Sequence, residues 1–258
     1  MRQLIPPGPV IGFVGVLGLL TGLHDVGGLG QRGWMAGLAS GVALLAALSC
    51  GLVRVGRRAL LPADRVTLTR AVLVCGVTAL VAASSGGAGT PGGLGVLVAV
   101  SSVALALDAV DGWVARRTGT ANPMGARFDM ETDAFLILVL SVQVARDLGW
   151  WVLGIGAARY VLLAVGVAGR WAPWLRGQVP ARRWRKVVAA YQGIALTVAS
   201  AQVLDERLVT LSVAAGLALL VVSFGTEVAA LRRLPAPDAA TSLPHPVPLD
   251  VTVAEAVQ

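Results

Sequence analysis

Asp108, Asp111, Asp129 and Asp133 stand in the stretch LDAVDGWVARRTGTANPMGARFDMETDAF (107–135), with long apolar segments on both sides. An ionised carboxylate in a membrane helix costs about 2.5–3.5 kcal/mol on insertion scales, so these charges need a cationic partner. Residues three or four apart share a helix face, which pairs Asp108 with Asp111 and Asp129 with Asp133. Between the pairs, TGTAN followed by Pro123 predicts a helix stop and restart, with Asn122 as N-cap and Pro123 at the first helical position. The resulting hairpin sets the two pairs face to face. Hard oxygen donors at that density suit Mg²⁺ or Mn²⁺, and two such ions can clamp a pyrophosphate for in-line displacement.

The small residues between the carboxylates fit the same chemistry. Gly112 lies beside Asp111, Ala115 one turn on from it, and Gly125 one turn before Asp129. Without bulk at those places a flat base and ribose can approach the helix backbones. Arg116 adds a planar fork for a phosphate or carboxylate.

These side chains must be held by helices in lipid. Of the 258 residues, 56% are hydrophobic and 14% charged, with a mean hydropathy of +0.76; soluble domains carry about 25% charged residues. The composition predicts an all-α polytopic membrane protein, in a prokaryote a multi-pass protein of the plasma membrane. Eight candidate spans run at about 9–23, 34–53, 68–86, 92–115, 124–145, 149–169, 187–204 and 208–231. The first is expected to be retained rather than cleaved, since no clear small-residue cleavage site follows it. With the N-terminus inside, seventeen of the 21 Lys and Arg fall on the inner side, against Arg32, Arg146 and Arg207 outside and Arg159 within a helix. That bias predicts that both termini and the aspartates are cytoplasmic.

The net charge of +7 is therefore read as topology signal and lipid-phosphate contact, and a nucleic-acid partner is excluded. Cys50 and Cys75 lie inside apolar runs, against a disulfide framework, and His24 and His245 lie near predicted segment ends or in the tail, against a His-based zinc site. Trp150, Trp151, Trp171, Trp174 and Trp184 sit at segment ends, as interfacial anchors do. Residues 232–258 change to prolines and scattered acids and are expected to be a disordered cytoplasmic tail.

The order Asp108-x2-Asp111-Gly112-x2-Ala115-Arg116-x8-Gly125-x3-Asp129-x3-Asp133 resembles, at every position, the signature of the CDP-alcohol phosphatidyltransferases. The resemblance implies a six-helix membrane enzyme, usually a homodimer, that moves a phosphatidyl group from a CDP-linked lipid to a small alcohol acceptor and releases CMP. It implies that Asp108, Asp111 and Asp129 bind two divalent ions, and that Asp133 contacts metal and serves as general base toward the acceptor hydroxyl. Gly112, Ala115, Arg116 and Gly125 would be nucleotide-binding.

Three further stretches resemble the family in part. ADRVTLTR (63–70) is similar to a Pro-Asn-x-x-Thr-x-x-Arg helix start, with Thr67 and Arg70 in place and Ala63 and Asp64 where Pro and Asn are usual. Thr67 is then a nucleotide contact or a helix cap, and Arg70 a phosphate contact or a positive-inside anchor. Arg159 matches an Arg usually followed by Glu, here Tyr160, and is read as an acceptor- or lipid-phosphate ligand or as half of an ion pair with one of the aspartates. Lys186 and Gln192 match part of a Gly-Lys-x-Lys-Thr-x-x-Gln pattern of phosphatidylglycerophosphate synthases, while Arg185, Val188 and Ala189 depart from it. Glu131 lies off the Asp129 face and is read as structural. The resemblance divides the chain into an extension at 1–61 with two additional helices, a core at 62–231 and the tail; Gly37 and Gly41 are read as a helix-packing pair.

Two other classes use similar residues. A membrane prenyltransferase binds a pyrophosphate through Asp-rich motifs and Mg²⁺, but those motifs stand far apart in sequence. A cation-coupled transporter places paired aspartates near the midplane, whereas these are expected at cytoplasmic helix ends.

Overall fold

A computed structural model of the chain describes residues 7–57, 59–85, 92–120, 122–168 and 183–233. In lipid every backbone polar group must be satisfied within its own segment, and the apolar runs accordingly form helices. Among the described residues there are eight α-helices and no strand. They are α1 (Pro7–Gly27), α2 (Gln31–Arg54), α3 (Pro62–Ser84), α4 (Gly93–Thr118), α5 (Pro123–Leu148), α6 (Leu153–Ala168), α7 (Arg183–Ala201) and α8 (Glu206–Arg233), with a 3₁₀ turn at Trp150–Val152 before α6.

Five of them, α1 to α4 and α8, are long and apolar enough to cross a membrane. The other three depart from the expected eight spans for different reasons. Asp129, Glu131 and Asp133 charge the first half of α5. The apolar part of α7 is confined to Lys186–Ala201. The 16 residues described for α6 rise about 24 Å, short of a hydrocarbon layer of about 30 Å. The loop expected at 84–93 and the basic cluster at 174–193 lie partly outside the described residues, and the tail beyond Arg233 and His245 lie wholly outside them.

The ends that matter for the site are set by local chemistry. Pro62 opens α3, and the Asp64 carboxylate accepts the Leu61 N–H at 3.1 Å, so the helix starts six residues before the apolar run that predicts it. Gly119 ends α4 with φ 63°, a left-handed conformation that glycine adopts without strain. As expected, Asn122 caps α5, its side-chain oxygen accepting the Gly125 N–H at 2.8 Å, and Pro123 follows at the first position.

α3 is the most enclosed span and touches α1, α2, α4 and α5. Val74, Val77, Ala79 and Leu80 lie at its buried faces. Small residues let the helices close on it: a Cβ on Gly37 would meet Leu20 Cδ2 at 2.7 Å, and one on Gly41 would meet Val16 Cγ1 at 3.2 Å, in keeping with the packing role expected for this pair. Val10, Ile11, Val14, Leu211 and Val221 point outward, as lipid-facing side chains do.

Candidate metal and catalytic site

Three helix ends converge on the aspartates: the first turns of α3 and α5 and the last turns of α4. One oxygen from each of Asp108, Asp111 and Asp129 lies within 4.8 Å of the others. The helical spacing accounts for this directly, since each acid projects from the face its helix turns to the other two.

Arg70 of α3 joins the fourth carboxylate to that trio. Its Nη1 lies 2.8 Å from Asp111 Oδ2 and 3.0 Å from Asp108 Oδ1, and also bonds Asp129 Oδ1. Nη2 bonds Asp133 Oδ1, and Nε donates to the Ala104 carbonyl of α4 at 3.2 Å. The Arg70 side chain is fully buried. A single guanidinium faces four carboxylates, so the cluster keeps an excess of negative oxygen donors. That donor set fits hard divalent cations. Asp133 stands apart from the close trio and shares its position through Arg70, with a third of its side chain exposed.

The remaining expected residues fall into distinct surroundings. Thr67 is buried and donates from Oγ1 to Asp111 Oδ2 at 3.3 Å, so it braces a carboxylate. Arg70, expected at a phosphate, has instead the carboxylates and the Ala104 carbonyl as its partners, because no surface of it reaches outward. Gly112 and Ala115 are half-buried on α4, and Arg116 is exposed and folds back over Gly112, where a Cβ would meet its Nη1 at 3.3 Å. Gly125 is buried against α3: a Cβ there would meet Asp64 Oδ1 at 2.2 Å. Lys186 is exposed and makes no ion pair with the described residues. Gln192 is buried and reaches the Gly216 carbonyl of α8 at 3.4 Å.

Among the described residues Arg159 pairs with Glu131, not with an aspartate, at 2.6 Å from Nη2 to Oε1, and its buried Nε has no partner. Sequence reasoning gave Glu131 a structural reading without naming that partner. It also missed the central place of Arg70 and the contacts of Asp64. The signal was present: Asp64, Thr67 and Arg70 recur at helical spacing, so they share the face turned to the acids.

A family model described as CDP-alcohol phosphatidyltransferase matches residues 60–225. The chain belongs to the CDP-alcohol phosphatidyltransferase family. No curated protein and no solved structure matches it significantly. Members of the CDP-alcohol phosphatidyltransferase family are enzymes of phospholipid synthesis that use divalent metal ions, and the Asp108, Asp111 and Asp129 trio could hold such ions here. With five helices long and apolar enough to cross a membrane, this CDP-alcohol phosphatidyltransferase is an integral membrane protein.

Proposed function

We propose that the protein transfers a phosphatidyl group from CDP-diacylglycerol to a small alcohol and releases CMP. The gathering of the Asp108, Asp111 and Asp129 oxygens beside Asp133 carries this reading. Two divalent ions, Mg²⁺ or Mn²⁺, held by the aspartates would neutralise the donor's pyrophosphate when bound. Asp133 accepts the proton of the acceptor hydroxyl as that oxygen forms its bond to the phosphatidyl phosphorus. The bond from this phosphorus to the bridging oxygen breaks, and CMP takes the electron pair. Arg70 and Thr67 hold Asp111 and its neighbours in place for this.

The half-buried Gly112 and Ala115, with Arg116 above them, favour the nucleotide side of the site on α4. The density of basic residues favours a phosphorylated acceptor such as glycerol 3-phosphate or inositol phosphate, with Arg159 and Lys186 as candidate phosphate ligands. The charge bias supports an active site and both termini on the cytoplasmic side. The family resemblance supports a homodimer with a core at 62–231. The family match favours this reading over the prenyltransferase and the transporter.

Purified protein given CDP-diacylglycerol, Mn²⁺ or Mg²⁺ and a panel of acceptors should release CMP only with one acceptor class. Folded protein that releases no acceptor-dependent CMP from any of them refutes the proposal.

A further inference from the structure

Arg57, Asp64 and Asn122 lie outside the carboxylate cluster yet connect the elements that build it. Asp64 is 2% exposed, and its two oxygens serve different elements. Oδ2 accepts from the Leu61 N–H at 3.1 Å and from Arg57 Nη2 at 3.4 Å, while Oδ1 accepts from Asn122 Nδ2 at 3.1 Å. A carboxylate shielded from water needs such donors around it. Because the Asn122 amide is engaged by Asp64, its oxygen is turned to the Gly125 N–H that it caps at 2.8 Å. Asp129 and Asp133 follow one and two turns later on the same helix.

The other end of this chain of contacts lies before the matched region. Arg57 follows α2 and also donates to the Ala59 carbonyl at 3.3 Å. A second contact runs beside it: Met124, in the first turn of α5, packs on α2 at Gly51, where a Cβ would meet Met124 Cγ at 3.2 Å. The segment 7–57 thus touches the start of α5 directly at one apolar point, and reaches it at one polar point through Asp64 of α3.

We infer that Arg57, Asp64 and Asn122 form a positioning relay through which the N-terminal helices set the rotation and height of α5, and with them the placement of Asp129 and Asp133 opposite Asp108 and Asp111. This rests on the metal-site reading above. Gly125 belongs to the relay as the residue whose missing side chain admits Asp64 between the helices.

The test uses the full chain in lipid nanodiscs, with Mn²⁺ affinity read from the electron paramagnetic resonance signal of free Mn²⁺. Unfolding temperature, kcat and the acceptor KM are measured beside it. Asn122→Asp keeps a capping oxygen but sets a second carboxylate against Asp64. It should weaken Mn²⁺ affinity about tenfold or more and lower kcat, with the acceptor KM unchanged. The exchanged pair, Asp64→Asn with Asn122→Asp, restores the amide-to-carboxylate contact in reverse and should recover most of the Mn²⁺ affinity. Should Asn122→Asp fail to fold, Arg57→Gln, at a partly exposed residue, should weaken Mn²⁺ binding in the same direction. Wild-type Mn²⁺ affinity in the folded variants overturns the relay, as does an exchange that recovers unfolding temperature but not Mn²⁺ binding. A wild-type chain that binds no Mn²⁺ overturns the metal reading itself, and the relay with it.

Discussion

Arg70 reaches from α3 to Asp111 on α4 with Nη1 2.8 Å from Oδ2, and neither side chain has more than a sliver of exposed surface. The same guanidinium bonds Asp133 on α5, so one residue ties together the helices that carry the acids. Removing one partner of a buried ion pair costs about 3–5 kcal/mol, because the remaining charges lose their compensation. Arg70→Gln should therefore lower the unfolding temperature strongly in the presence of a chelator, and Mn²⁺ should recover much of the loss. Thermal unfolding in detergent with and without Mn²⁺ measures this; equal destabilisation in both conditions would show that Arg70 does not share its role with metal.

Asp133 is expected to separate binding from turnover. Asp108, Asp111 and Asp129 make a close trio without it, so Asp133→Asn should retain most Mn²⁺ binding while kcat falls by about 10²–10⁴-fold, the usual contribution of a general base. Turnover near wild type in the Asn variant would remove Asp133 from that role.

Gly125→Ala places a methyl group where Asp64 Oδ1 stands, at 2.2 Å. Overpacking of this kind costs about 1–3 kcal/mol. The loss should be smaller when Asp64 is also changed to Ser, and a double-variant unfolding series checks it. An equal loss in both backgrounds would place the cost elsewhere than at Asp64.

Arg159 and Glu131 give opposite expectations for two roles. About a quarter of each side chain is exposed, so solvent screening leaves their pair worth about 1 kcal/mol or less. If Arg159 holds the acceptor phosphate, Arg159→Gln should raise the acceptor KM well beyond that of Glu131→Gln. Equal effects of the two variants on KM would make the pair purely structural.

Much of this site could be read from the spacing of the acids. Helical periodicity placed Asp108 with Asp111, and the Asn122–Pro123 step placed the turn, because both depend on residues near in sequence. The contacts of Arg70 were not legible, for the opposite reason. Its partners stand 34 to 63 positions away, and a basic residue near a helix start looks the same whether it faces lipid headgroups or the interior. Beyond its helical spacing with Thr67 and Arg70, Asp64 was legible only as a departure from a family pattern, since its contacts with Arg57 and Asn122 exist only once three helix ends meet. The start of α3 was set too late because PADRVT is polar, while a proline and a capping carboxylate begin a helix irrespective of hydropathy.

The 3₁₀ turn at Trp150–Val152 also fixes a depth scale. Trp150 is 82% exposed and Trp151 donates its Nε1–H to the Leu148 carbonyl at 2.7 Å, so the two indoles mark the C-terminal end of α5. From Leu148 back to Asp133 the helix rises about 22 Å, less than the hydrocarbon thickness of about 30 Å. With the indoles at the headgroup level of one leaflet, the same rise puts Asp129 about 28 Å away, near the boundary of the other leaflet, and Asp133 one turn inside it.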